Sequence, residues 1–195
     1  MSSDTEELVE PSERTRYVLL RSKHVIVPLS VRTKLRWCGL IALSAALVGP
    51  IVAALPAPVR ETYFAGNPVT TPLGAAAVVF VGVGGLAAAG VGLTAVALYV
   101  DRHPDPPESQ AWDLIAAEDA ATGFGLVTGT LGVGSGGAIL ASGHWGTDAV
   151  RRLVDLGVEP YLVYEPLPAT PRLATVAALV VGLGALASSA YAGRS

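Results

Sequence analysis

The chain has 195 residues, of which 51% are hydrophobic and only 15% charged, and its net charge is −3. Soluble domains carry about a quarter charged residues. The deficit argues against an ordinary water-soluble domain, and because it is gathered into long uncharged blocks it points to a bilayer.

The first 36 residues are divided by sign. Residues 1–13 hold Asp4, Glu6, Glu7, Glu10 and Glu13 with no base, and read as an acidic disordered tail. Residues 14–36 hold Arg14, Arg16, Arg21, Lys23, Arg32, Lys34 and Arg36 with no acid. Such a basic run suits nucleic acid or a membrane surface. An apolar block follows at once, so the expected partner is the lipid bilayer and not nucleic acid. The segment "RYVLLRSKHVIVPLSVRTKLRW" alternates irregularly between apolar and basic residues. It reads as a short hairpin turning at Ser22–Lys23, or as a juxtamembrane segment docked on the cytoplasmic face, with the second favoured.

Residues 37–195 read as a four-span transmembrane domain. The expected spans are about 38–55, 73–100, 120–142 and 173–192, none of which contains Asp, Glu, Lys, Arg or His. A helix needs about 20 such residues to cross the hydrocarbon layer. Pro50 predicts a kink in the first span, and the second is long enough to tilt or project. A cleaved signal peptide is not expected, because 37 residues precede the first block and prolines occupy the place of a cleavage site. Cys38, the only cysteine, leaves no intrachain disulfide and no cysteine-based metal site.

The connections differ in character. Residues 56–72 form a proline-rich turn with Tyr63 and Phe64 suited to the membrane interface. "DRHPDPPESQ" is a proline-broken acidic loop, and "AWDLIAAED" reads as a helical turn or two capped by Ser109 that runs into the third span. "TDAVRRLVDLG" is amphipathic, with Thr147 or Asp148 as cap and Gly157 as stop, and is expected to lie flat on the outer surface. "YLVYEPLPATP" then returns extended to the fourth span. With the N-terminus inside, the inner segments hold the seven N-terminal bases plus Arg102 and Arg194, against Arg60, Arg151, Arg152 and Arg172 outside. The excess predicts a multi-pass protein of the cell membrane with both termini cytoplasmic.

The third block contains "TLGVGSGGAILASG", in which Gly132, Gly134 and Gly137 spell G-x-G-x-x-G. A dinucleotide site would need a strand before these glycines and a helix after them. Here the following segment is interrupted by Gly143 and Gly146, and no further strand–helix alternation is present. Helical geometry offers another role. Gly125, Gly129, Gly132 and Gly136 recur at +4, +3 and +4 and form one stripe, suited to close backbone approach of a second helix in lipid. Glu118 and Thr122 extend that face. The other spans have weaker stripes: Gly39, Ala42, Ala46, Gly49 and Ala53; Ala75, Gly82, Gly85, Ala89 and Gly92; and Ala174, Ala178, Gly182, Ala185 and Ser189.

The fold class expected is therefore all-α, an integral membrane bundle of four transmembrane helices with small-residue packing faces. No G-x-S-x-G, H-E-x-x-H, C-x-x-C or Walker-type lysine appears. Asp101, His103 and Asp105 in "DRHPD" read as a solvated acidic loop in preference to a metal site. No catalytic residue, cofactor or metal is assigned. Two functional readings remain. The first is a non-enzymatic accessory or scaffold subunit, packing through Gly125, Gly129, Gly132 and Gly136 against its own copies or another membrane subunit, with Glu118 as a possible ion or partner contact. The alternative is an oligomeric channel or small-solute transporter lined by Thr128, Thr130 and Ser135 and ringed by Glu118.

Overall fold

The computed structural model describes residues 20–103 and 106–192. The acidic tail at 1–13, the bases Arg14, Arg16 and Arg194, and Asp105 of the acidic loop lie outside them. Among the described residues the chain is helical with no strand, and four helical stretches are long and apolar enough to cross a membrane. These run over Val31–Ala53, Gly74–Arg102, Glu108–Trp145 and Pro171–Tyr191.

The first stretch is two helices. Helix α1 (Val31–Ala45) starts at Ser30, whose side chain accepts a hydrogen bond from the Thr33 amide, and so begins seven residues ahead of the uncharged block. It breaks before α2 (Val48–Ala53). Pro50 has no N–H for the Ala46 carbonyl, and its ring collides with that carbonyl in a straight helix. The break is repaired from across the bundle. The Thr175 hydroxyl donates to the Ala46 carbonyl at 3.2 Å and accepts from the Gly49 amide at 2.9 Å. Glycine is required at position 49, because a Cβ there would sit 2.6 Å from the Thr175 oxygen. The break also shifts the helical phase: Gly39, Ala42 and Gly49 of the expected small-residue face are buried, whereas Ala53 is exposed.

A short surface helix, α3 (Ala57–Tyr63), leads to α4 (Gly74–Arg102), whose 29 residues extend about 44 Å at 1.5 Å per residue. The third stretch is a continuous rod. It runs as α5 (Glu108–Ala120), a π-helical segment (Ala121–Val127), α6 (Thr128–Ala141) and a 3₁₀ turn (Ser142–Trp145). The helix expected before the third span is longer than a turn or two, and Pro107, not Ser109, occupies its cap. Helix α7 (Thr147–Asp155) follows Gly146, which has φ +91° and takes the cap position expected of Thr147 or Asp148. Gly157, at φ +81°, ends it. Helix α8 (Pro171–Tyr191) completes the bundle, and all five residues of its expected small-residue face are buried.

The helices alternate in direction. Helix α4 is central and packs on α1, α6 and α8, while α1 also packs extensively on α8. At the end where α4 starts, the extended return is pinned by Gly74 N–H to the Leu162 carbonyl (2.9 Å) and Tyr164 N–H to the Pro72 carbonyl (3.0 Å). Tyr161 is buried there, its hydroxyl donating to the Leu140 carbonyl at 3.0 Å and its ring against Tyr63 and Phe64. Burial raises its phenol pKa above the ordinary tyrosine value. Tyr63 and Phe64 are half-buried and pack against the core, where the return loop supplies them with Tyr161.

Candidate functional site

The opposite end of the bundle carries the charges. Residues 20–24 form a helical turn, so a hairpin turning at Ser22–Lys23 does not occur. Leu20 and Val25 pack on Ala111 and Ile115 of α5, and the His24 ring meets the Trp112 ring edge-on. These apolar contacts lay the segment across the end of α5 and bring Arg21 over Glu118.

Glu118 is completely buried. Arg21 grips its carboxylate with two donors, Nε to Oε2 at 2.8 Å and Nη2 to Oε1 at 2.6 Å. Lys34, equally buried, donates from Nζ to Oε1 at 2.7 Å. The fork-on-carboxylate arrangement is a strong, directional form of pairing. Burying a charge is costly unless it is paired and hydrogen-bonded, and the cluster meets both conditions. Two further bonds fasten the segment. The Asp119 Oδ1 accepts from the Ile26 amide at 3.1 Å, and Arg21 Nη2 also reaches the Leu29 carbonyl at 2.6 Å.

The glycine stripe continues from this cluster along the same rod and is covered by α4. A Cβ on Gly125 would lie 2.5 Å from the Ala89 Cβ, and one on Gly129 2.8 Å from the Gly82 carbonyl. One on Gly132 would lie 3.0 Å from the Gly82 Cα, and one on Gly136 2.8 Å from the Ala75 carbonyl. Three of these four neighbours are backbone, which cannot swing aside. Gly123, Gly134 and Gly137, by contrast, have nothing within 4 Å of a Cβ position. Of the G-x-G-x-x-G spelling, only Gly132 is in contact, within a continuous helix with no strand before it. The feature a phosphate loop needs, exposed amides at a helix start, is missing from these residues.

The span hydroxyls serve the backbone. Ser44, Thr94, Thr122, Thr130 and Ser135 each donate to a carbonyl three or four residues back. Thr130 and Ser135 are on the exposed side of the rod, and Glu118 is on its buried side. The three are therefore not brought to one surface. Thr128 instead borders a groove of about 1050 Å³ between α4, α6 and the loop 157–167, lined mainly by apolar residues such as Val78, Val81 and Leu162. His103 stacks on Tyr99 and its Nδ1 lies 3.2 Å from the Tyr99 carbonyl. Among the described residues no cluster of three metal-binding side chains occurs.

Spacing singled out Glu118 and the four glycines but missed the partners Lys34 and Arg21. Lys34 had a readable signal: it stands one turn before Cys38 and two before Ala42, on the face that α1 buries. Arg21 had none, because its position depends on how residues 20–30 fold back.

Comparison with protein-family models, with curated proteins and with solved structures finds no match.

Proposed function

We propose that the chain is a multi-pass protein of the cell membrane, with both termini cytoplasmic, that works as a non-enzymatic accessory or scaffold subunit. The observation that supports this reading most directly is how the polar groups are used. Among the described residues every buried side-chain nitrogen or oxygen has a hydrogen-bond partner inside the chain. The outward faces meanwhile expose Val81, Val91, Leu131, Val180 and Leu183, as a lipid-facing bundle would. The glycine stripe is covered by α4, so the surface left for another subunit is the opposite side of the rod, around Phe124, Val127 and Leu131. The channel reading draws less support, since Glu118 is engaged by Arg21 and Lys34 and does not share a face with Thr130 and Ser135.

Alkaline-washed membranes and mild crosslinking test the proposal. The chain is expected to stay in the washed membrane and to crosslink to a copy of itself or to a defined membrane subunit. Extraction as a lone monomer with no crosslinked species would remove the accessory role, and ion flux in liposomes would favour the channel. Orientation is tested by a cysteine at position 22, which an outside-only reagent should leave unmodified.

A further inference from the structure

Not all the cations at the charged end are used by Glu118. Arg32 and Arg36 are exposed, one turn apart on α1, and neither side chain hydrogen-bonds or forms an ion pair among the described residues. Among the described residues the acids at that end are elsewhere. Glu118 is taken by Arg21 and Lys34, Asp119 holds the Ile26 amide, and the exposed Asp101, Glu108 and Asp113 belong to α4 and α5. The same outward side of α1 continues into Trp37 (51% exposed), Leu40 and, beyond the helix break, Leu47. Over about 12 Å of helix the surface passes from two guanidinium groups, through an indole, to bare aliphatic side chains.

We propose that this side of α1 binds an anionic phospholipid, with Arg32 and Arg36 on the headgroup phosphate and the acyl chain along Leu40 and Leu47. The inference rests on the membrane reading above. Charge and depth argue for this occupant together. A guanidinium pair matches phosphate oxygens, tryptophan prefers the headgroup boundary, and the aliphatic stretch begins where a bilayer's hydrocarbon would. The Lys34–Glu118 pair on the other side of the same helix ties α1 to α5, so the arginine pair is presented on a fixed element.

The test is competitive lipid retention by the full chain. The protein is purified in detergent with equal amounts of phosphatidylglycerol and phosphatidylcholine of matched chain length, and retained lipid is read by native mass spectrometry. Phosphatidylglycerol should be retained preferentially, and the preference should weaken when salt is raised from about 0.1 to 0.5 M. Each arginine is expected to contribute about fivefold, so Arg32→Gln/Arg36→Gln should cut the preference roughly 25-fold. Both positions are exposed, so the variant should keep its thermal midpoint. Arg151→Gln/Arg152→Gln, at the far end, should keep the preference. Equal retention of the two lipids by the parent, a salt-independent preference, or a preference surviving in Arg32→Gln/Arg36→Gln overturns the proposal. Flotation with vesicles of phosphatidylcholine alone scores membrane insertion separately: a chain that floats but shows no preference defeats this inference and leaves the membrane reading standing.

Discussion

One end of the bundle is closed by Tyr161 against Tyr63 and Phe64, with a single hydroxyl bonded to the Leu140 carbonyl. The other is closed by Arg21 and Lys34 on the Glu118 carboxylate. Each plug needs a segment outside the long helices: the return loop supplies Tyr161 at one end, and residues 20–30 supply Arg21 at the other. The aromatic end draws on apolar burial, which tolerates the loss of one polar group. The charged end has no such tolerance. Glu118 and Lys34 are both fully buried there, so removing the carboxylate strands a buried ammonium.

Six variants would break or sharpen this contrast. Gly129→Leu/Gly132→Leu attacks the frame that both ends share. The new side chains would meet Gly82 backbone on α4, so loss of the folded monomer is expected on size exclusion in mild detergent. Gly134→Leu/Gly137→Leu, with open space at both positions, should leave elution and thermal midpoint nearly unchanged. Equal damage from the two pairs would remove the close-packing account. Glu118→Gln comes next. It strands Lys34, and about 3–5 kcal/mol of destabilisation is expected, with faster trypsin cleavage after Arg21 or Lys23. An unchanged cleavage rate would show that the cluster does not hold the segment.

Thr175→Val, towards the aromatic end, leaves the Gly49 amide and Ala46 carbonyl unpaired at the Pro50 break, costing about 1–3 kcal/mol in a reversible unfolding titration. Restoring the helix with Pro50→Ala should cancel most of that loss. The smallest loss among the contacting residues belongs to Tyr161→Phe. Its ring contacts remain and one hydrogen bond is lost, so about 1 kcal/mol is expected. A loss as large as that of Glu118→Gln would erase the distinction between the ends.

Much of the frame is legible in the residues alone. The four uncharged blocks reappear as four long helices, the Pro50 kink is a break between α1 and α2, and the spacing of Gly125, Gly129, Gly132 and Gly136 puts them on one face. Local spacing is enough for these because helix period and proline chemistry act within a few residues. Less was legible where the chain turns back on itself. Tyr63 and Phe64 suit a membrane interface by type, but their neighbours depend on where Tyr161 returns. Ser109 suits a cap by type, but the cap lies two residues earlier, at Pro107.

The sequence by itself determined that this chain is helical, that four of its stretches are long and apolar enough to cross a membrane, and that one of them has a face without side chains. These follow from composition and period, which each segment carries alone. Only the tertiary structure decided what meets that face and that charge. The glycines are closed by α4 of the same chain because α4 brings Gly82, Gly85 and Ala89 to the same heights. Glu118 finds Arg21 97 residues away and Lys34 84 residues away. A buried carboxylate needs countercharge, but which of the chain's bases supplies it depends on which segments the packed helices bring alongside.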